Sequence, residues 1–151
     1  MKESLSIVSL NMIIRTVTAE DAAAIAALSH QLGYTISEEQ TLQNVTALLQ
    51  SESHVTFVAV DEKVIGWMGV SYTISLESPP MCEVHGLVID EQYRNKGIGK
   101  LLIEKAKQWS RDKAVSKLRL RCNVKRTETH KFYERIGFAE VKQQKVFEIN
   151  I

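Results

Sequence analysis

The stretch that most constrains the fold runs from Leu87 to Leu102, LVIDEQYRNKGIGKLL. An apolar, strand-like run gives way to a polar turn, and an amphipathic helical pattern begins at once. A strand that feeds a helix through such a turn aims several backbone N–H groups at one point, beside the positive end of the helix dipole. Glycine at Gly97 and Gly99 removes Cβ atoms that would block close approach or forbid positive φ. Arg94, Lys96 and Lys100 add charge around the same spot, with Asn95 and Ile98 among them. The arrangement suits a pyrophosphate. Two other nucleotide loops do not fit. A Walker A loop requires glycine where Arg94 stands and a hydroxyl where Leu101 stands. A Rossmann fingerprint requires glycine at Leu102 and follows the first strand, which this turn does not.

A chain of 151 residues has the length of one domain and enough mass for its own core. Its net charge of +1 gives no broad basic field to draw it to nucleic acid or a membrane. An anionic ligand must therefore be held by a local device such as this turn. Cys82 and Cys122 stand alone, without a CxxC pair, which points to a reducing, cytoplasmic setting and to no zinc site. No apolar run approaches the ~20 residues needed to cross a bilayer. Residues 1–11 lack the apolar centre and cleavage site of a signal peptide. They read as an N-terminal extension before a single domain over 12–151.

Periodicity orders the elements. Met12–Val17 reads as a strand, and Thr18 with Asp21 opens a helix that Gly33 ends. Ser37 with Gln40 is a second capping signature, followed by an amphipathic helix. His54–Val60 and Val64–Ser75 read as a hairpin joined at Asp61–Lys63, and Ser78–Pro80 as a loop. Met81–Ile89 is the strand before the turn. Ile98, Leu101, Leu102, Ala106 and Trp109 form the stripe of the next helix. Lys117–Cys122 is a strand, Thr127–Arg135 a helix, and Phe138–Val141 and Lys145–Ile151 two closing strands. The order β-α-α-β-β-β-α-β-α-β-β implies an α/β class with a mixed sheet and helices on its faces. It does not name a function.

At the turn the sequence resembles the GCN5-related N-acetyltransferase (GNAT) superfamily. The superfamily's Q/R-x-x-G-x-G/A motif is matched by Arg94, Gly97 and Gly99. A second element, from Arg126 through Thr129-His130-Lys131-Phe132-Tyr133-Glu134-Arg135 to Gly137-Phe138, resembles R-x-x-A-H-R-F-Y-E-x-x-G-F. Thr129 departs from the usual alanine. The resemblance spans residues 12–151 and implies a splayed sheet with acetyl-CoA in the gap between its fourth and fifth strands. Gly86 is where a bulge would start the splay. By the same resemblance, Leu87, Val88 and Ile89 offer backbone groups to the pantetheine arm. Asn123 is similar to an asparagine used on that arm, and Arg126 to a residue near the CoA phosphates.

The resemblance also implies a reaction: transfer of acetyl from acetyl-CoA to an amine by direct attack in a ternary complex. An alkyl amine of pKa near ~10 must first lose a proton. Tyr133 resembles the family's general acid at the CoA sulfur. Glu83 resembles its base, with His85 as rival or relay and a water chain as a third route. Strand alternation puts Glu83, His85, Leu87 and Ile89 on one face. The stretch from Asn123 to Phe138 is most similar to members acting on small amines. Tyr34, Tyr72 and Glu77 are pocket candidates. No metal is implied, and a homodimer is left open by the resemblance. A non-catalytic acyl-CoA-binding module and an acetyltransferase of protein or peptide amines are the alternative readings.

Overall fold

The computed structural model describes residues 11–151, so the expected N-terminal extension, Asn11 apart, lies outside the described residues. In chain order the elements are β1 (Ile13–Thr16), α1 (Ala22–His30), α2 (Glu38–Leu49), β2 (His54–Asp61), β3 (Lys63–Ser75) and β4 (Ser78–Ile89). Then come α3 (Ile98–Asp112), β5 (Leu118–Leu120) and α4 (Thr127–Arg135). The strands form one sheet in the order β1-β2-β3-β4-β5. Neighbours run antiparallel except β5, which lies parallel to β4. The parallel step follows from the β4–α3–β5 connection, since a parallel neighbour needs a crossover and a hairpin cannot supply one. Of the described residues, those through Arg121 form one compact unit, and Cys122–Ile151 forms another.

Local signals set the helix starts in the first unit. Ser37 Oγ accepts from the Gln40 N–H at 3.0 Å and caps α2. Asp21 accepts from the Thr18 N–H at 2.8 Å and takes both Arg15 terminal nitrogens at 2.8 and 2.9 Å, tying β1 to the entry of α1. One core cluster joins Val17, Ile25, Val45 and Val58, with Val60, Val64 and Trp67 packed against it. On α3 the buried stripe is Ile98, Leu102, Ile103, Ala106 and Ser110. Leu101, expected on that stripe, is exposed, and Ile103 takes its place.

Four expectations need correction. Ser78–Pro80 is not a loop but the first turn-proximal part of β4. The register there slips between Thr73 and Ser75, so the prolines fall where the ladder is irregular and their missing N–H groups are tolerated. The β5 ladder is shorter than Lys117–Cys122. The closing strands Phe138–Val141 and Lys145–Ile151 do not form. Their alternating pattern is strand-like, but a strand exists only in a ladder, and residues 139–151 are exposed without one. Finally, the bulge expected at Gly86 is present, but the alternation expected across it is not. Gly69 pairs with Gly86 and Val70 with Val84, leaving His85 as the extra residue. That insertion reverses the alternation, so Glu83 shares a face with Gly86 and Val88, not with Leu87 and Ile89.

Candidate active site

The bulge coincides with the opening of the sheet. On its outer side β4 pairs with β5 only through Cys82↔Leu118, Glu83↔Arg119 and Val84↔Leu120. On its inner side it stays paired with β3 as far as Ile89. The Asp90 N–H donates to Ile65 O at 2.8 Å, toward β3. Counting back by alternation, Val88 also faces β3, while Leu87 and Ile89 turn their backbone groups to the open edge. The Val88 side chain is core at 2% exposure, so only its backbone is available to a ligand. Arg94 Nε donates to Ile89 O at 3.0 Å and closes the far end of that edge.

The edge leads into the glycine turn. Asp90 Oδ1 accepts from the Gln92 N–H at 3.0 Å, which fixes a 3₁₀ turn over Glu91–Tyr93. Asn95 and Gly97 then take φ of 63° and 87°. Gly97 is the N-cap of α3, and a Cβ there would meet nothing within 4 Å, so the left-handed φ is what demands glycine. Gly99 lies inside α3 and has no such demand. No side chain caps α3, whereas α2 is capped by Ser37. α1 and α4 likewise have no side-chain cap, so what marks the start of α3 is the left-handed turn at Asn95 and Gly97 with Arg94, Lys96 and Lys100 around it. Ile98, 2% exposed, pins the turn to the core. Lys96 Nζ lies 5.1 Å from the Tyr93 ring centroid, and Lys100 is exposed.

At the bulge a polar cluster gathers. Glu83 is 6% exposed and forms an ion pair with Arg121, whose Nε lies 3.0 Å from Glu83 Oε2. His85 is exposed and shares a hydrogen bond through Nε2 with Ser71 Oγ. Ser71 stands opposite Glu83 in the ladder. The His54 ring lies 6.5 Å from that of His85, and its Nδ1 is bonded to Ser51 Oγ at 2.8 Å. Nothing in the sequence marks Ser71 or His54 as part of this cluster. For Arg121 the one signal is its alternation with Arg119 at the end of β5.

The second unit holds the remaining candidates. Tyr133 packs against the rings of Phe132 and Phe138 at 5.2 and 5.7 Å between centroids. Burial pushes its phenol up to about 12, the charge of Cys122 adds to this, and Arg126 opposes it. Burial likewise raises the Cys122 thiol, against Arg126. Asn123 builds the entry to α4. Its Oδ1 accepts from the Lys125 N–H at 2.9 Å, and its carbonyl is bonded to His130 Nε2 at 2.8 Å. His130 is thus a local staple. Gly137, at φ 108°, stops the helix as expected.

Residues 16–138 match the profile of the Acetyltransferase (GNAT) family. The chain belongs to that family. This GNAT acetyltransferase is 27% identical over 136 residues to an aminoglycoside N(6')-acetyltransferase type 1 of Stenotrophomonas maltophilia, covering 86% of the chain and 88% of the relative. Among solved structures it resembles the aminoglycoside N-acetyltransferase AAC(6')-Iy in complex with CoA. The TM-score is 0.83 at 21% identity, over 96% of the chain and 99% of that protein. AAC(6')-Iy in complex with the bisubstrate analogue CoA-S-monomethyl-acetylneamine matches with a TM-score of 0.81 at 20% identity, over 93% and 99%. No helix of the described residues is long and apolar enough to cross a membrane.

Proposed function

We propose that this GNAT acetyltransferase moves the acetyl group of acetyl-CoA to a primary amine of a small molecule by direct attack in a ternary complex. The observation that carries the reading is the continuous path from the open edge at Leu87 and Ile89 to the uncapped start of α3 at Gly97. A pantetheine arm carries amides that satisfy strand-edge N–H and C=O groups, and a diphosphate satisfies the helix amides. Arg94, Lys96 and Lys100 add charge to the diphosphate, and Arg126 is a further candidate for the CoA phosphates. An open-edge N–H at Leu87 or Ile89 is also a donor for the thioester oxygen as it becomes an oxyanion.

The amine nitrogen forms its bond to the acetyl carbon, and the carbon–sulfur bond breaks. The acceptor arrives as an ammonium and must shed a proton first. Glu83, fixed and buried, holds the cationic amine. His85, exposed beside it, passes the proton to solvent. Tyr133 serves the departing thiolate. Held up at about 12, its phenol keeps its proton across the neutral range. Full transfer to a thiolate whose thiol lies near ~8.5 climbs on the order of 5 kcal/mol. Tyr133 therefore steadies the sulfur chiefly by donating a hydrogen bond, and solvent completes the protonation.

The small-molecule acceptor class is supported by the similarity to an aminoglycoside acetyltransferase. The test follows free thiol released from acetyl-CoA with neamine, simple diamines and a lysine peptide. Release with the small amines is expected. Release with the peptide alone would point to protein amines, and CoA binding without any release would point to a non-catalytic module.

A further inference from the structure

The Glu83–Arg121 pair is lopsided. The Glu83 side chain is 8% exposed and that of Arg121 64% exposed, so one partner is fixed in the sheet and the other reaches in from solvent. Arg121 also follows the last ladder pair, Val84↔Leu120, and its backbone is no longer clamped to β4. The pair therefore lies where the β4–β5 ladder ends, with its carboxylate buried and its cation in water. Arg119 is the residue opposite Glu83 in register, yet the contact at 3.0 Å is made by Arg121.

We infer that Arg121 is a specificity-determining positioning residue: its guanidinium stands in for the acceptor's ammonium on Glu83 and gives way when a cationic amine arrives. This rests on the reading of Glu83 as the anchor for the acceptor. A carboxylate withdrawn from water is costly to leave unpaired, and Arg121 covers it. Because the Arg121 guanidinium stays largely in solvent, it gives way to another cation readily, provided the carboxylate is covered throughout. An uncharged acceptor, such as an aromatic amine at neutral pH, brings no replacement for the charge and leaves the pair closed. The site thereby selects alkylammonium acceptors over neutral amines without any contact from Arg121 to the product.

The test uses neamine as acceptor in Arg121→Ala, Arg121→Lys, Glu83→Gln and the double variant Glu83→Gln/Arg121→Ala. Steady-state acetyl transfer gives KM and kcat, and calorimetry of neamine into CoA-saturated protein gives affinity without turnover. Removing the competitor should lower the neamine KM of Arg121→Ala at least about threefold, with the change in KM rather than kcat. Arg121→Lys should restore the wild-type KM. Glu83→Gln should raise KM, and adding Arg121→Ala to it should then have no effect. An Arg121→Ala KM that is unchanged or raised would overturn the inference. So would an equal effect of Arg121→Ala with and without Glu83→Gln, because Arg121 would then not act through Glu83. Failure of the functional reading looks different: wild type neither binds neamine nor acetylates any amine, and all four variants are equally silent.

Discussion

Replacing Gly86 by alanine tests the packing beneath the opening of the sheet. A Cβ at position 86 would stand 2.6 Å from Trp67 Cη2 and 2.8 Å from Cζ3. Carbon atoms rest at about 3.5–4.0 Å, so the indole must withdraw by about 1 Å. It is not free to do so, because Trp67 packs against the Val17–Ile25–Val45–Val58 cluster. Overpacking of this kind costs about 1–3 kcal/mol. For a chain of this size each kcal/mol lowers Tm by roughly 2–4 °C, so Gly86→Ala should melt about 2–12 °C below wild type. Both clashing atoms belong to the six-membered ring of the indole. Trp67→Phe replaces that bicycle with a smaller ring and should relieve the clash. The double variant should then lose at least about 1 kcal/mol less than the sum of the singles. Thermal or denaturant unfolding of the four proteins reads the cycle. Strict additivity, or a Gly86→Ala melting point equal to wild type, would refute the contact.

Three further outcomes are expected. The hydrogen bond from Arg15 holds the Asp21 carboxyl below its ordinary value, with the Thr18 N–H assisting against burial. Its stabilisation is therefore full above about pH 4 and lost as pH falls through the lower folded value. Asp21→Asn should cost on the order of 2 kcal/mol at pH 7, a gap that narrows in acid when unfolding is followed against pH. Tyr133 is pushed up to about 12 by burial, so Tyr133→Phe should remove a late component from the ultraviolet titration. The same variant should lower kcat with little change in CoA affinity; unaltered kcat would remove Tyr133 from the reaction. Gly97→Val forces a branched side chain to φ 87° and should weaken CoA binding at least tenfold by calorimetry, from backbone strain of about 1–2 kcal/mol and crowding of the turn.

The sequence was most readable where structure is local. Ser37 announces α2 because a hydroxyl there must answer the amide of Gln40, and α4 runs over Thr127–Arg135 as its helical pattern says. The glycine turn was legible for the same reason: the left-handed backbone at Gly97 admits few other residues. What depends on pairing was not. The bulge at His85 exists only through the register of β4 on β3, and it moved Glu83 to the opposite face from Leu87 and Ile89. The partnership of Glu83 with Arg121 joins residues brought near one another by the crossover through α3. Residues 145–151 alternate like a strand, yet alternation describes one edge of a ladder and says nothing of the other.

Acetyl transfer itself is read most directly with acetyl-CoA carrying an isotopic label in the acetyl group, neamine and simple diamines as acceptors, and mass spectrometry of the products. The label should appear on amine nitrogen as an amide, one CoA thiol appearing for each, and Gly97→Val should slow both together. Label that stays on CoA, or leaves only as free acetate at the rate seen without amine, would contradict an acetyltransferase acting on small amines.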